Sequence, residues 1–129
     1  MSFVTGDEAT EAGGFDSADR ARLKDRLLYL GAELESIVAF ADGRYDPDPD
    51  GPARWLREVS SPLPEESSRE ALQRWRHVFA DELQTVRLAR NSVAHAKYIS
   101  DGSLRNAIAI GDRLVSIAKS SMGENYRAD

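Results

Sequence analysis

Apolar residues recur at every third or fourth position through most of this chain of 129 residues, and no useful stretch alternates apolar with polar residues. Spacings of three and four place side chains on one face of an α-helix, whereas a half-buried strand needs a period of two. The sequence therefore predicts an all-α fold without a sheet. The longest such face carries one charge among its apolar members: Leu72, Trp75, Phe79, Leu83, Val86, Arg90 and Val93.

The first long helix is predicted to begin at a cap formed by Asp16 or Ser17 and to run to about Ala41. Gly31 interrupts its helix formers, which weakens the helix by about 1 kcal/mol relative to Ala and allows another helix to approach closely. Its apolar face consists of Leu23, Leu27, Leu30, Leu34, Ile37 and Val38.

A second long helix is predicted from a cap at Ser67 or Ser68, and a last one from about Asp101 to beyond Lys119. The last helix carries two adjacent apolar rows, and an arc of that width usually contacts two neighbours. The rows are Leu104, Ile108, Gly111, Val115 and Ala118, and beside them Ala107, Ile110, Leu114 and Ile117.

Proline and glycine make residues 42–52 a loop, and residues 60–68 a second connector. Proline suits a first helical turn, so a short helix is predicted from Pro52, carrying Trp55, Leu56 and Val59. The expected architecture is an antiparallel helical bundle of three long helices plus one short helix.

The domain limits follow from the same pattern. Residues 1–16 lack periodicity and are expected to form a disordered tail, residues 17–122 the helical domain, and residues 123–129 a flexible C-terminal tail.

Composition excludes several classes of protein. The chain has no cysteine, which rules out a disulfide framework, a thiolate zinc site and a cysteine nucleophile. No apolar run approaches the roughly 20 residues of a membrane helix, and the acidic N-terminus does not have the form of a signal peptide. We expect a cytoplasmic protein with no membrane partner, no cofactor and no metal.

The net charge of −5 is unevenly distributed along the chain. Residues 69–105 hold seven Lys/Arg against four Asp/Glu, a local net charge of +3. This asymmetry indicates an anionic partner for that segment, although a solvated, Arg-rich helix face would have the same composition.

The segment Arg90-Asn91-Ser92-Val93-Ala94-His95 combines residue types suited to phosphate chemistry near the expected helix end. Five residues on a continuous helix amount to about 500°, so the side chains of Arg90 and His95 would diverge. If the helix loosens after Asn91 or Ser92, both can face one opening. In the structural alternative, Arg90 pairs with an acid and His95 belongs to a helix C-terminus.

This pattern, R-N-x-x-x-H at the end of a penultimate long helix followed by one more helix, resembles the hallmark of the HEPN superfamily. Residues 75–120 are similar to its Swt-type branch, and the resemblance is generic elsewhere. Val93 is a departure, because relatives often carry an aromatic residue there. The matching positions are Arg90, Asn91, Ala94, His95, Ser100, Asp101, Arg105, Arg113 and Leu114.

The resemblance implies a metal-independent endoribonuclease, a hydrolase that acts as a toxin or defence effector on tRNA or another structured RNA. Such an enzyme activates the 2′-hydroxyl of RNA against the adjacent phosphorus, which needs a base, an acid and a cation. Histidine can be the base or the acid, arginine binds phosphate oxygens, and Asn91 would position the phosphate or His95. Because one chain has one motif histidine, the resemblance also implies a homodimer with a composite site.

Other residues near the motif are weaker candidates. Arg87, Lys97 and Tyr98 are predicted to bind substrate, and for Arg87 a solvated or paired role is the alternative. His77 lies off the apolar face and is expected at the surface. A cognate antitoxin, such as a nucleotidyltransferase, is a further expected partner.

Two other functions remain open at this point. One is a non-catalytic HEPN module that dimerises and binds RNA, a nucleotide or a partner protein. The other is an antitoxin-like helical protein in which the motif is fortuitous.

Overall fold

The computed structural model describes residues 17–43, 51, 53, 55–56 and 65–127. All regular structure in this part of the chain is helical, which confirms the predicted all-α class. The four helices are α1 (Ser17–Ala41), α2 (Glu65–Val78), α3 (Ala80–Ala94) and α4 (Asp101–Arg127).

The first and last helices begin where the sequence predicts. Helix α1 ends at Ala41, and α4 begins at Asp101 behind Ser100, whose Oγ accepts a hydrogen bond from the Ser103 amide at 3.1 Å. A serine in this position satisfies one of the free amides of the first helical turn. Helix α4 continues through residues 123–127, which the sequence assigns to a tail, whereas residues 1–16 lie outside the described part.

The predicted second long helix is wrong in one respect, because the structure divides it at Phe79. Phe79 has φ −107° and ψ 28°, away from helical values. Its amide still donates to Trp75 O at 3.0 Å, and its carbonyl accepts from Leu83 N at 2.9 Å. The apolar spacing therefore continues across the break, and α2 and α3 follow one another with a local interruption. Helix α2 also begins earlier than predicted, at Glu65.

The core is formed by the apolar faces of all four helices. Helix α4 packs against α1, α2 and α3, so its two apolar rows are covered within one chain. Gly111 is part of this packing, because a Cβ there would meet Leu30 Cδ1 at 3.2 Å. The largest fully buried side chains are Leu27, Leu30, Ile37, Leu56, Leu72, Leu104, Leu114 and Val86. None of the described helices is long and apolar enough to span a bilayer.

The described residues of the predicted short helix, Trp55 and Leu56, are helical and pack on the core. Trp55 Nε1 donates to the buried Glu33 carboxylate at 2.7 Å, which gives this acid a partner away from water. The Lys119 ammonium lies 5.2 Å from the centre of the Trp55 ring. Pro52 and Val59 lie outside the described residues.

Side chains of α2 complete the C-terminal end of α1. Arg69 Nε donates to Phe40 O at 3.3 Å, and Gln73 Nε2 donates to Ala41 O at 2.8 Å. The last carbonyls of a helix lack the usual intrahelical partner. Phe40 O also accepts from the Gly43 amide at 3.0 Å, and Gln73 supplies the side-chain donor for Ala41 O. Beyond them, Gly43 takes a left-handed φ of 73°, the conformation that ends many helices. The start of α2 is thereby tied to the end of α1.

We expect Gln73→Ala to lower the free energy of unfolding by about 1 kcal/mol, because it leaves the Ala41 carbonyl without its side-chain donor. Chemical denaturation monitored by circular dichroism measures this change. Gln84→Ala is the matched control, since Gln84 is an exposed helical glutamine on α3, and it should stay within about 0.5 kcal/mol of wild type. Equal effects of the two substitutions would contradict the capping role.

Candidate functional site

The motif lies at the C-terminal end of α3, which remains helical to Ala94, with His95 as its cap residue. Ala96 has a left-handed φ of 55°, its amide donates to Val93 O at 3.1 Å, and the Lys97 amide donates to Ser92 O at 2.7 Å. These two bonds form a Schellman ending, here with alanine where glycine is usual. The helix therefore does not loosen after Asn91 or Ser92, which was the condition for Arg90 and His95 to face one opening within a chain.

Arg90 points from α3 toward α1. Its stem crosses Gly31, where a Cβ would meet Arg90 Cγ at 2.6 Å, and its head forms an ion pair with Glu35. The Arg90 Nε is buried and has no hydrogen-bond partner among the described residues. The group that approaches Gly31 closely is thus the side chain of Arg90. Its ion pair with Glu35 matches the structural alternative, in which Arg90 pairs with an acid.

A different set of polar residues shares a face with His95. On α3, Asn91 is about 40° and Arg87 about 80° from His95 in helical projection, whereas Arg90 is about 140° away. Arg87 and His95 are exposed, and Asn91 is partly buried. No described residue forms a hydrogen bond or ion pair with the side chain of Arg87 or His95. We call Arg87, Asn91 and His95 the α3 polar face.

The predicted site residues border two openings. A groove of about 850 Å³ between α1 and the α2–α3 pair is lined by Arg87 and Arg90. A cleft of about 560 Å³, between the start of α1 and the segment after α3, is lined by Lys97 and Tyr98. Neither lining includes Asn91 or His95, so Arg87 is the one member of the α3 polar face that also lines either of these openings.

The groove combines an apolar floor with charged walls. Leu34, Leu83 and Val86 contribute apolar surface, and the exposed His77 lies at the wall, as predicted for a surface histidine. Two ion pairs cross it, Arg90 with Glu35 and Arg76 with Asp42. Because these pairs neutralise their own arginines, Arg87 is the groove arginine whose charge has no described acidic partner.

Sequence patterns near the motif could not identify the residues that α1 contributes. Arg20 forms an ion pair with Asp101 and donates to Ile99 O, and Lys24 lines the same cleft as Lys97. About 70 positions separate Lys24 from Lys97, and no local pattern links them. Only the antiparallel packing of α1 on α3 brings them together.

No cluster of three or more His, Asp or Glu side chains suited to a metal ion occurs within the described ranges. The chemistry available at the α3 end is that of arginine, asparagine, histidine, lysine and tyrosine side chains.

The contact between Gly31 and Arg90 predicts that the effect of Gly31→Ala on stability changes sign when Arg90 is removed. In wild type, Gly31→Ala displaces the Arg90 stem, and such overpacking costs about 1–3 kcal/mol, which exceeds or cancels the helix-propensity gain of about 1 kcal/mol. In an Arg90→Ala background the obstacle is gone, and we expect the same substitution to stabilise by about 1 kcal/mol. Urea denaturation of wild type, Gly31→Ala, Arg90→Ala and the double variant measures both effects. The same sign and size in both backgrounds would show that the two residues do not constrain each other.

Comparison with known proteins does not extend the motif resemblance. No protein-family model matches this chain, and no curated protein or solved structure matches it either. The resemblance to the HEPN superfamily therefore rests on the residues of the motif and the sequence around it alone.

Proposed function

We propose that this protein is a HEPN-type, metal-independent endoribonuclease whose site is completed by a second copy of the chain. The observation that carries the proposal is the exposed His95 at the end of α3, with Asn91 and Arg87 on the same helix face. An exposed histidine without a described side-chain partner contributes little to the fold, and its placement beside an amide and a cation suits phosphodiester chemistry.

The chemistry requires more than one chain offers. Attack by the 2′-hydroxyl needs one group to accept its proton and another to protonate the departing 5′-oxygen. His77, the other histidine of the chain, lies on α2 at the wall of the groove. Two copies that meet across the α3 polar face would bring two His95 side chains to one substrate, one as base and one as acid.

The exposed Leu88 indicates where a second copy would pack. Leu88 is 56% exposed and precedes His95 by seven residues, so the two share a face within about 20°. In an isologous contact whose antiparallel helices cross at the level of Val93, each His95 lies opposite Asn91 of the other copy. The two His95 residues are then about 6 Å apart along the helix axis, within reach of one phosphodiester. The apolar arc of α4 packs against the three other helices of the same chain, so it does not support a dimer.

The two arginines have different roles in this proposal. Arg90 is committed to Glu35 and Gly31, so it holds α3 in register against α1. Arg87 supplies the uncommitted cation for the developing phosphorane charge. The substrate we propose is tRNA or another structured RNA, in a cytoplasmic toxin or defence system with a nucleotidyltransferase-type antitoxin.

We expect His95→Ala to abolish RNA cleavage while changing the free energy of unfolding by less than about 0.5 kcal/mol, because the side chain is exposed and makes no described polar contact. Cleavage of labelled tRNA and of total RNA is followed on gels with EDTA present, and a thermal melt checks the fold. His77→Ala is the matched control, as an exposed histidine away from α3, and it should cleave like wild type.

Cleavage by His95→Ala at the wild-type rate would overturn the enzyme proposal. Loss of wild-type cleavage in EDTA, restored by Mg²⁺, would overturn the metal-independent mechanism. The presence of His95→Ala in the same assay also excludes a contaminating nuclease, since any such activity would remain in that preparation.

We expect Leu88→Glu to separate the two copies and to abolish cleavage with them, because it replaces the exposed apolar side chain at the proposed contact with a carboxylate that would lose its hydration there. Sedimentation velocity should give the chain mass of 14.3 kDa for this variant and twice that mass for wild type. Val78→Glu is the control, because Val78 is 66% exposed on α2 and should leave the dimer intact. A monomeric wild type at micromolar concentration, or a dimeric and active Leu88→Glu, would contradict the composite site.

The second candidate is the non-catalytic binding module. The specific observation in its favour is that Arg90, the cation of the motif, is held by Glu35 beside a groove with an apolar floor. Under this alternative the wild-type chain forms a dimer but cleaves none of the RNAs tested, and His95→Ala is indistinguishable from wild type.

A further inference from the structure

The cleft between the start of α1 and the segment after α3 contains an unusual aromatic side chain. Tyr98 is 86% exposed, more than any other large hydrophobic residue in the described part of the chain. Its neighbour Ile99 is 7% exposed and belongs to the core cluster. The backbone therefore exposes the side chain of Tyr98 and buries that of Ile99, so Tyr98 contributes little to the core.

The segment that carries Tyr98 is fixed at both ends. On one side, the Schellman ending of α3 sets the conformation of Ala96 and binds the Lys97 amide to Ser92 O at 2.7 Å. On the other side, the Arg20 guanidinium donates to Ile99 O and forms an ion pair with Asp101. An aromatic ring on a segment held in this way can bind a ligand with a small loss of conformational entropy.

Two lysines line the same cleft as Tyr98. Lys24 follows Arg20 by one helical turn on α1, and both line the cleft together with Lys97. Arg20 is neutralised by Asp101, whereas no described acid forms an ion pair with Lys24 or Lys97. The cleft therefore offers two uncommitted positive charges and one exposed aromatic face.

This composition favours a single-stranded nucleic acid over a protein. Protein interfaces have an apolar centre, but the aliphatic residues at this cleft are the buried Ile99 and the single methyl group of Ala96. Stacking of an unpaired base on an aromatic ring, with lysines along the phosphates, is the usual arrangement for binding single strands.

We propose that this cleft binds one unpaired RNA nucleotide, with its base stacked on Tyr98 and its flanking phosphates on Lys24 and Lys97. The segment begins directly after His95, so, resting on the proposed ribonuclease function, this nucleotide lies next to the scissile phosphate. The cleft then selects RNA that is single-stranded at the cleavage site.

The test measures binding in the full chain carrying His95→Ala, so that no substrate is consumed. The probe is a fluorescein-labelled single-stranded RNA of about 12 nucleotides, compared with the same strand annealed to its complement, by fluorescence anisotropy. We expect the single strand to bind more tightly than the duplex. Tyr98→Ala should weaken binding by about five- to a hundredfold, and Tyr98→Phe by less than about twofold, because the ring remains.

Lys24→Gln should weaken binding at low salt and reduce the slope of log Kd against log salt concentration by about 0.7, the value for one phosphate contact on a single strand. Tyr29→Ala is the control, because Tyr29 is 48% exposed on α1 and does not line the cleft; its affinity should equal that of the parent. Circular dichroism confirms that each variant is folded.

Unchanged affinity in both Tyr98→Ala and Lys24→Gln, or equal binding of duplex and single strand, would overturn the subsite. Unchanged RNA affinity with a changed sedimentation mass would assign the cleft to a protein contact instead. The subsite and the enzyme fail separately: a wild type that cleaves RNA while the cleft variants bind normally rejects the subsite alone. If the wild type never cleaves RNA but its binding still depends on Tyr98, the ribonuclease proposal fails and the subsite stands.

Discussion

The crossing of α1 and α3 at Gly31 determines where every residue of the candidate site lies. An arginine on an otherwise apolar helix face can be accommodated only if its stem has room and its head has a partner, and Gly31 and Glu35 provide these. This contact sets the register of α3 along α1. One consequence is that the end of α3 reaches the first turns of α1, where Arg20 holds the segment that follows. The cleft between the start of α1 and the segment after α3 depends on that register.

The helical class and most helix limits could be predicted because they depend on local apolar spacing. The stripe from Leu27 to Ile37 is buried as its period requires, and the end of α1 at Ala41 follows the Gly- and Pro-rich sequence beyond it. The break at Phe79 could not be predicted in this way, since the residues around it include neither glycine nor proline and the spacing of four continues through it. A local interruption that preserves these two hydrogen bonds and the apolar face leaves no mark in the periodicity.

The sequence identified the residue types of the candidate site, but not which of these side chains share a helix face or an opening. The spacing of Arg90 and His95 allowed either a loosened helix or two divergent side chains, and only the observed ending at Ala94 decides between them. On a regular helix the residues that accompany His95 are Asn91 and Arg87, four and eight positions earlier. The contributions of Glu35 and Lys24 depend on the packing of α1, which the motif does not encode. The exposure of Tyr98 likewise follows from how its segment is anchored at Ile99.

The overall charge of the chain does not describe its local surfaces, because several acids among the described residues are paired with arginines while other charges are not. Asp112 binds Arg26, Asp42 binds Arg76, and Asp101 binds Arg20. Pairs exposed to solvent contribute little to stability, but they cancel the charges of both members in the local field. Around the end of α3 the charges without a described partner are therefore positive, those of Arg87, Lys24 and Lys97. An acidic protein can in this way present a positive surface at one end, and the distribution of ion pairs, more than the net charge, determines which surface an anionic polymer would meet.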